Sequence, residues 1–132
     1  MKNQTVVILI FLKDGKILIE KRQLELFKSP QYLIPGGNVK PGENIENAAI
    51  REAFEELGLN ISKLKLLPLK KKIIGLKGQS LVPFIVEKWF GKFPEIILDK
   101  GTPLFWVSLD EALTSEVKPT KEIILALKNH LS

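Results

Sequence analysis

A chain of 132 residues, 45% hydrophobic and 27% charged, has the size and usage of one folded domain, expected to span 1–132, and is excluded from whole-length disorder. It has no cysteine and a lone histidine, His130, which removes disulfide frameworks, thiolate metal sites and thiol nucleophiles and weighs against a Ser-His-Asp triad. Any metal must then be held by oxygen, as Mg²⁺ or Mn²⁺ would be. The net charge of +5 is carried mostly by lysine; it either favours phosphate-bearing ligands or reflects solvated faces.

Val6 to Leu12 is a continuous Val/Ile-rich apolar run, read as a buried strand. It is too short to cross a membrane and lacks a signal-peptide cleavage pattern, so a cytoplasmic location is expected. Asp14-Gly15 marks a hairpin turn, after which Lys16 to Lys21 should pair back on the first strand. Gln23 to Gln31 loops out, and Tyr32 to Pro35 is a short strand ended by its proline. Gly36 to Gly42 reads as an irregular loop with unusual backbone angles.

Asn44 is the expected N-cap of a helix over Ile45–Leu57, and Gly58 its C-terminal stop. Ile50, Ala53, Phe54 and Leu57 follow helical spacing and form the expected buried stripe. Strands are expected over Leu64–Leu69, Lys72–Leu76 and Ser80–Phe90, with Pro83 pointing to an edge or a bulge. Phe93 to Thr102 reads as a loop, Leu104 to Val107 as a strand, and Ser108 as the cap of a short helix to Leu113. Thr120 is the expected cap of a last helix, Lys121 to Leu131, burying Ile123, Ile124, Leu127 and Leu131. Together these elements make an α/β domain.

The first helix carries Glu52, Glu55 and Glu56 within roughly a 100° arc of its circumference. Three neighbouring carboxylates repel one another, and no lysine occurs between Lys40 and Lys63 to offset them. The cluster is either a solvated acidic face or a seat for a divalent cation, to which a carbonyl from the glycine turn would add a ligand. Glu43 can pair with Arg51 across the loop–helix junction; Arg51 can equally pair with Glu55 one turn on.

The run Gly37-x5-Glu43-x7-Arg51-Glu52-Ala53-x-Glu55-Glu56-x-Gly58-Leu59 matches the Nudix box, with Ala53 a small residue at an aliphatic position. Chance agreement is on the order of 10⁻⁸ per starting position. Leu33 to Gly37, Val86 to Gly91 and Trp106 to Leu109 resemble the MutT-type members of that family more weakly. The resemblance implies a Nudix α/β/α sandwich with a mixed β-sheet, and hydrolysis of a nucleoside diphosphate linked to another group. It implies metal ligation by Glu52, Glu55, Glu56 and the Gly36 carbonyl, structural roles for Glu43 and Arg51, and Glu52 as general base.

A further acid from a later loop would be Asp99, with Glu95 the alternative. Substrate contacts would come from Arg22, Gly37, Tyr32 and Lys121, the last standing where MutT-type members carry a base-reading asparagine. The implied cofactor is Mg²⁺, with Mn²⁺ a substitute. The implied partner is a nucleotide, most simply an NTP or dNTP cut to NMP and pyrophosphate. ADP-ribose, dinucleoside polyphosphates and an RNA 5′ end are the alternatives, and monomer and homodimer both stay open. The intact glutamates argue against a non-catalytic nucleotide-binding module.

Overall fold

A computed structural model describes residues 4–132; Met1, Lys2 and Asn3, which precede the first strand in the sequence, lie outside the described residues. In chain order the elements are β1 (Thr5–Ile10), β2 (Leu12–Lys13), β3 (Lys16–Arg22), β4 (Gln31–Leu33), β5 (Gly36–Asn38) and α1 (Ile45–Leu57). They continue as β6 (Asn60–Leu66), β7 (Ile73–Ile74), β8 (Ser80–Phe90), β9 (Leu104–Ser108), α2 (Leu109–Ala112) and α3 (Lys118–Leu131).

The strands form two sheets. In the mixed sheet β1 runs parallel to β8, from Thr5 opposite Ser80 to Ile10 opposite Ile85. β5 lies antiparallel on the free side of β1, and β6 and β7 lie antiparallel on the far side of β8. In the antiparallel sheet β3 pairs with β2, β4 and β9. The apolar run of the first strand is buried on both faces, which is why it does not alternate in hydropathy. Val7 and Leu9 pack in one core with Ala48, Ala49, Ala53 and Leu57 of α1. Ile8 and Ile10 pack in a second core with Ile123, Ile124 and Leu127 of α3. The mixed sheet is thus sandwiched between helices, an α/β/α arrangement such as the resemblance implies.

Several expectations are corrected. The hairpin at Asp14-Gly15 forms, with both residues at positive φ as a tight two-residue turn requires. Its regular pairing covers only Leu12↔Ile17 and Lys13↔Lys16. Beyond buried Phe11, whose carbonyl still accepts from the Leu18 N–H at 3.1 Å, the chain crosses into the other sheet, so β1 pairs with β8 and β5 rather than β3. Gly36 and Gly37 are strand residues without positive φ; their need for glycine is steric. A Cβ on Gly36 would stand 2.1 Å from the Val7 carbonyl oxygen.

The inner face of α1 is also different. Ile50 and Phe54 are exposed, and the buried residues are Ala48, Ala49, Glu52, Ala53, Glu56 and Leu57. Alanines let the helix axis approach the sheet closely, and the carboxylates then fill the space beyond them. Strand β6 starts earlier than expected, directly after the Gly58 stop, and β7 is shorter. Pro83 sits inside the mixed sheet, not at an edge, opposite Ile8 and between the stretches paired to β7 and to β6. Helix α3 begins at Lys118, with Pro119 in its first turn; Thr120 lies within the helix and is buried, and Leu131 is exposed.

Candidate active site

Helix α1 is held at both ends by local chemistry. The Asn44 Oδ1 accepts from the backbone N–H groups of Glu46 (2.8 Å) and Asn47 (3.3 Å). At the other end Gly58 adopts the left-handed conformation, with its N–H donating to Phe54 O and that of Leu59 to Ala53 O. The acidic residues between are therefore carried on a fixed rod.

Arg51 organises its first turns. The guanidinium grips Glu43 through both carboxylate oxygens, at 2.8 and 2.9 Å, and donates to the Asn38 carbonyl at 2.9 Å. Its Nη1 donates to Glu52 Oε1 (2.9 Å) and Glu55 Oε1 (2.8 Å), so both pairings open to Arg51 in the sequence are made at once. The Arg51 bond and the Lys40 N–H hold the Glu43 carboxyl down at about 2. Loop, strand β5 and helix are thereby tied at one point. Gly37 faces the Glu52 carboxyl so closely that a Cβ there would stand 2.1 Å from its Cδ.

Glu56 lies one turn on and is 5% exposed. Its Oε2 is buried without a hydrogen-bond partner, while Oε1 is 3.5 Å from Lys100 Nζ. Burial, and then the neighbouring Asp99 carboxyl, raises its pKa to about 7. The 95–103 loop is brought here by the Leu98 N–H, which donates to the Glu56 carbonyl at 2.9 Å. Glu95 contributes its backbone carbonyl to Leu104, and its side chain is exposed.

The donor set is all oxygen, with one buried acceptor unsatisfied, which fits a hard divalent cation. Among the described residues no three carboxylates are gathered closely enough to surround an ion as they stand. The reason is visible in the contacts: Arg51 draws Glu52 and Glu55 to itself.

A cavity of about 270 Å³ adjoins this cluster. Its lining includes Gly36, Glu20, Arg22 and Lys100, the α3 residues Pro119, Thr120 and Ile123, and the Gly75–Gln79 turn. Of the four sequence-selected substrate contacts, Arg22 lines the cavity and Gly37, Tyr32 and Lys121 do not. The Tyr32 hydroxyl donates to Glu111 Oε2 at 2.7 Å, away from the cavity, because β4 turns that side chain towards α2. Lys121 is exposed; the earlier start of α3 gives the cavity wall to Pro119 and Thr120 instead. Sequence reasoning missed Glu20, Thr102, Lys100 and the Gly75–Gln79 turn. Only Glu20 left a signal, a charged residue continuing the Ile17–Ile19 apolar run of β3.

The NUDIX domain matches residues 1–127. An 8-oxo-dGTP diphosphatase of Buchnera aphidicola is 32% identical over 111 residues, covering 84% of this chain and 82% of its own. A CTP pyrophosphohydrolase of Escherichia coli is 28% identical over 119 residues, covering 90% and 86%. The solution structure of the E. coli ORF135 protein superposes with a TM-score of 0.76 at 26% identity, over 98% of this chain and 91% of that one. The chain belongs to the Nudix family and is a MutT-type hydrolase. No helix among the described residues is long and apolar enough to cross a membrane.

Proposed function

We propose that this protein hydrolyses a nucleoside triphosphate to the monophosphate and pyrophosphate, with Mg²⁺ and in the cytoplasm. The carrying observation is the position of Lys100, which lines the cavity and also stands 3.5 Å from Glu56. A pocket of this size, just below the roughly 300–1,000 Å³ usual for small-molecule sites, therefore opens beside the acidic helix. The names of the Buchnera and E. coli relatives, a diphosphatase and a pyrophosphohydrolase of nucleotides, support the same reading.

In this reading the cavity takes the base, and the phosphates extend over α1. Glu52, Glu55, Glu56, Asp99 and the Gly36 carbonyl would hold the cation. When bound it neutralises phosphate charge and makes water a better nucleophile near neutral pH. Glu52 accepts the proton of the attacking water, held in place by Gly37 and by Arg51. Arg22 and Lys100 supply positive charge and donors to the nucleotide. Arg51 and Glu43 act through the others, fixing the helix to the loop.

The test is turnover of a panel with Mg²⁺, read by chromatography: all NTPs and dNTPs, 8-oxo-dGTP, ADP-ribose, diadenosine tetraphosphate and triphosphorylated RNA. Monophosphate and pyrophosphate from a triphosphate are expected. Glu55→Gln should lower kcat by about 10²–10⁴-fold. Unchanged turnover in that variant would remove the acidic helix from the reaction, and cleavage confined to ADP-ribose or RNA would redirect the substrate.

A further inference from the structure

We propose that Glu20 sets the base preference of the cavity, favouring bases that present an amino group beside a ring-nitrogen acceptor over bases with a carbonyl in the amino position. The inference rests on the nucleotide reading above and adds a specificity residue to it.

Strand alternation puts Glu20 and Arg22 on the same face of β3, opposite to that of Ile17 and Ile19. Both line the cavity, and Glu20 is only 5% exposed. A polar group in such a place costs free energy unless a partner is supplied. The Thr102 hydroxyl donates to Glu20 Oε2 at 2.7 Å and so fixes the carboxyl group. The other oxygen, Oε1, has Arg22 Nη1 at 3.8 Å, beyond hydrogen-bond reach. Arg22 in turn keeps its Nε buried with no partner. One strand face therefore lines the cavity with a carboxylate acceptor and, two residues on, a guanidinium donor whose side chain is 36% exposed.

The complement is a base edge with an amino donor next to an acceptor nitrogen. Cytosine has this in its N4 amino group and N3, and adenine in its N6 amino group and N1. Uracil and thymine place a carbonyl oxygen where cytosine has the amino group, and oxygen would then face the Glu20 oxygen. A wrong base leaves buried polar groups unpaired, which discriminates far more strongly than a difference in apolar contact.

Two measurements test this. Binding of dCMP and dUMP to the metal-free protein is read by calorimetry, and turnover of dCTP and dUTP with Mg²⁺ is read alongside. Wild type should prefer the cytosine member of each pair by roughly ten- to a hundredfold. Glu20→Gln is isosteric: its amide oxygen can keep the Thr102 bond, and its NH₂ then replaces the acceptor with a donor. That variant should lose the preference or reverse it. Glu20→Asp, which retains the acceptor, should retain part of it, and melting temperatures establish that both variants are folded. Wild type that binds the two monophosphates equally, or a preference that Glu20→Gln leaves intact, overturns the proposal. A cytosine preference in binding, without turnover of either triphosphate, supports the role of Glu20 and sinks the pyrophosphohydrolase reading instead.

Discussion

Gly37 has no room for a side chain because the Glu52 carboxyl occupies the place of its Cβ. A methyl group there must displace either β5 or the proposed base. Gly37→Ala should therefore lower kcat by at least about tenfold, since small misplacements at a reacting centre are costly. Steady-state kinetics at saturating Mg²⁺ check this, and a loss seen only at low Mg²⁺ would place the damage in ion binding. Glu56 makes a second residue-scale prediction. Its pKa in the folded protein is raised from 4.5 to about 7, so the folded state holds a proton that the unfolded chain would release. The stability it contributes is full below about pH 4.5 and is lost as pH rises through 7. Metal-free wild type should thus lose melting temperature between pH 5 and 8 relative to Glu56→Gln. Mg²⁺ should weaken that difference, because a cation favours the ionised carboxylate. Glu43 has the opposite sign: its contribution is full above about pH 4.5 and is lost as pH falls towards its depressed value of about 2.

At the scale of elements, α1 shows what a sequence reveals and what it hides. Its ends were legible because Asn44 and Gly58 have local reasons to be where they are, a side-chain cap and a left-handed turn. Asn44→Ala should cost about 1 kcal/mol, read from urea denaturation. Its inner face was not legible, because hydropathy ranks Ile50 and Phe54 above alanine, whereas close approach to the sheet selects small residues. The start of α3 was hidden for a related reason. Val117, its N-cap, makes no side-chain cap bond, and Ser115 Oγ accepts from the Val117 N–H instead. Pro83 reads as an edge residue by itself, but it stands at the join of the β6 and β7 pairings, where a missing donor matters least. The acidic residues of α1 stood out through fixed spacing. The cavity did not, because its wall comes from β1, β3, β4, β5, β8, α3 and the loops between them, and no local pattern links these segments.

Across the whole molecule, Phe11 marks where the chain passes from the mixed sheet to the antiparallel one. It is fully buried, and its ring meets those of Trp89 and Phe93 edge-to-face at 5.3 and 5.2 Å. Phe11→Ala should destabilise the protein by about 3–5 kcal/mol, measured by chemical denaturation. Both sheets should be lost in one transition, because the crossing strand serves both; separate transitions for the two would contradict the shared core.

The parallel pairing of β1 with β8 has a further consequence in time. Thr5 meets Ser80 across an interval that the ribosome must finish before the first strand has its inner neighbour. Until then a run of Val, Ile and Leu emerges with one edge open, protected only by the glycine strand that follows it. The acidic helix can form early from its own local signals, whereas the cavity wall waits for α3. During synthesis this protein would thus complete its acidic helix well before its cavity has a closed wall.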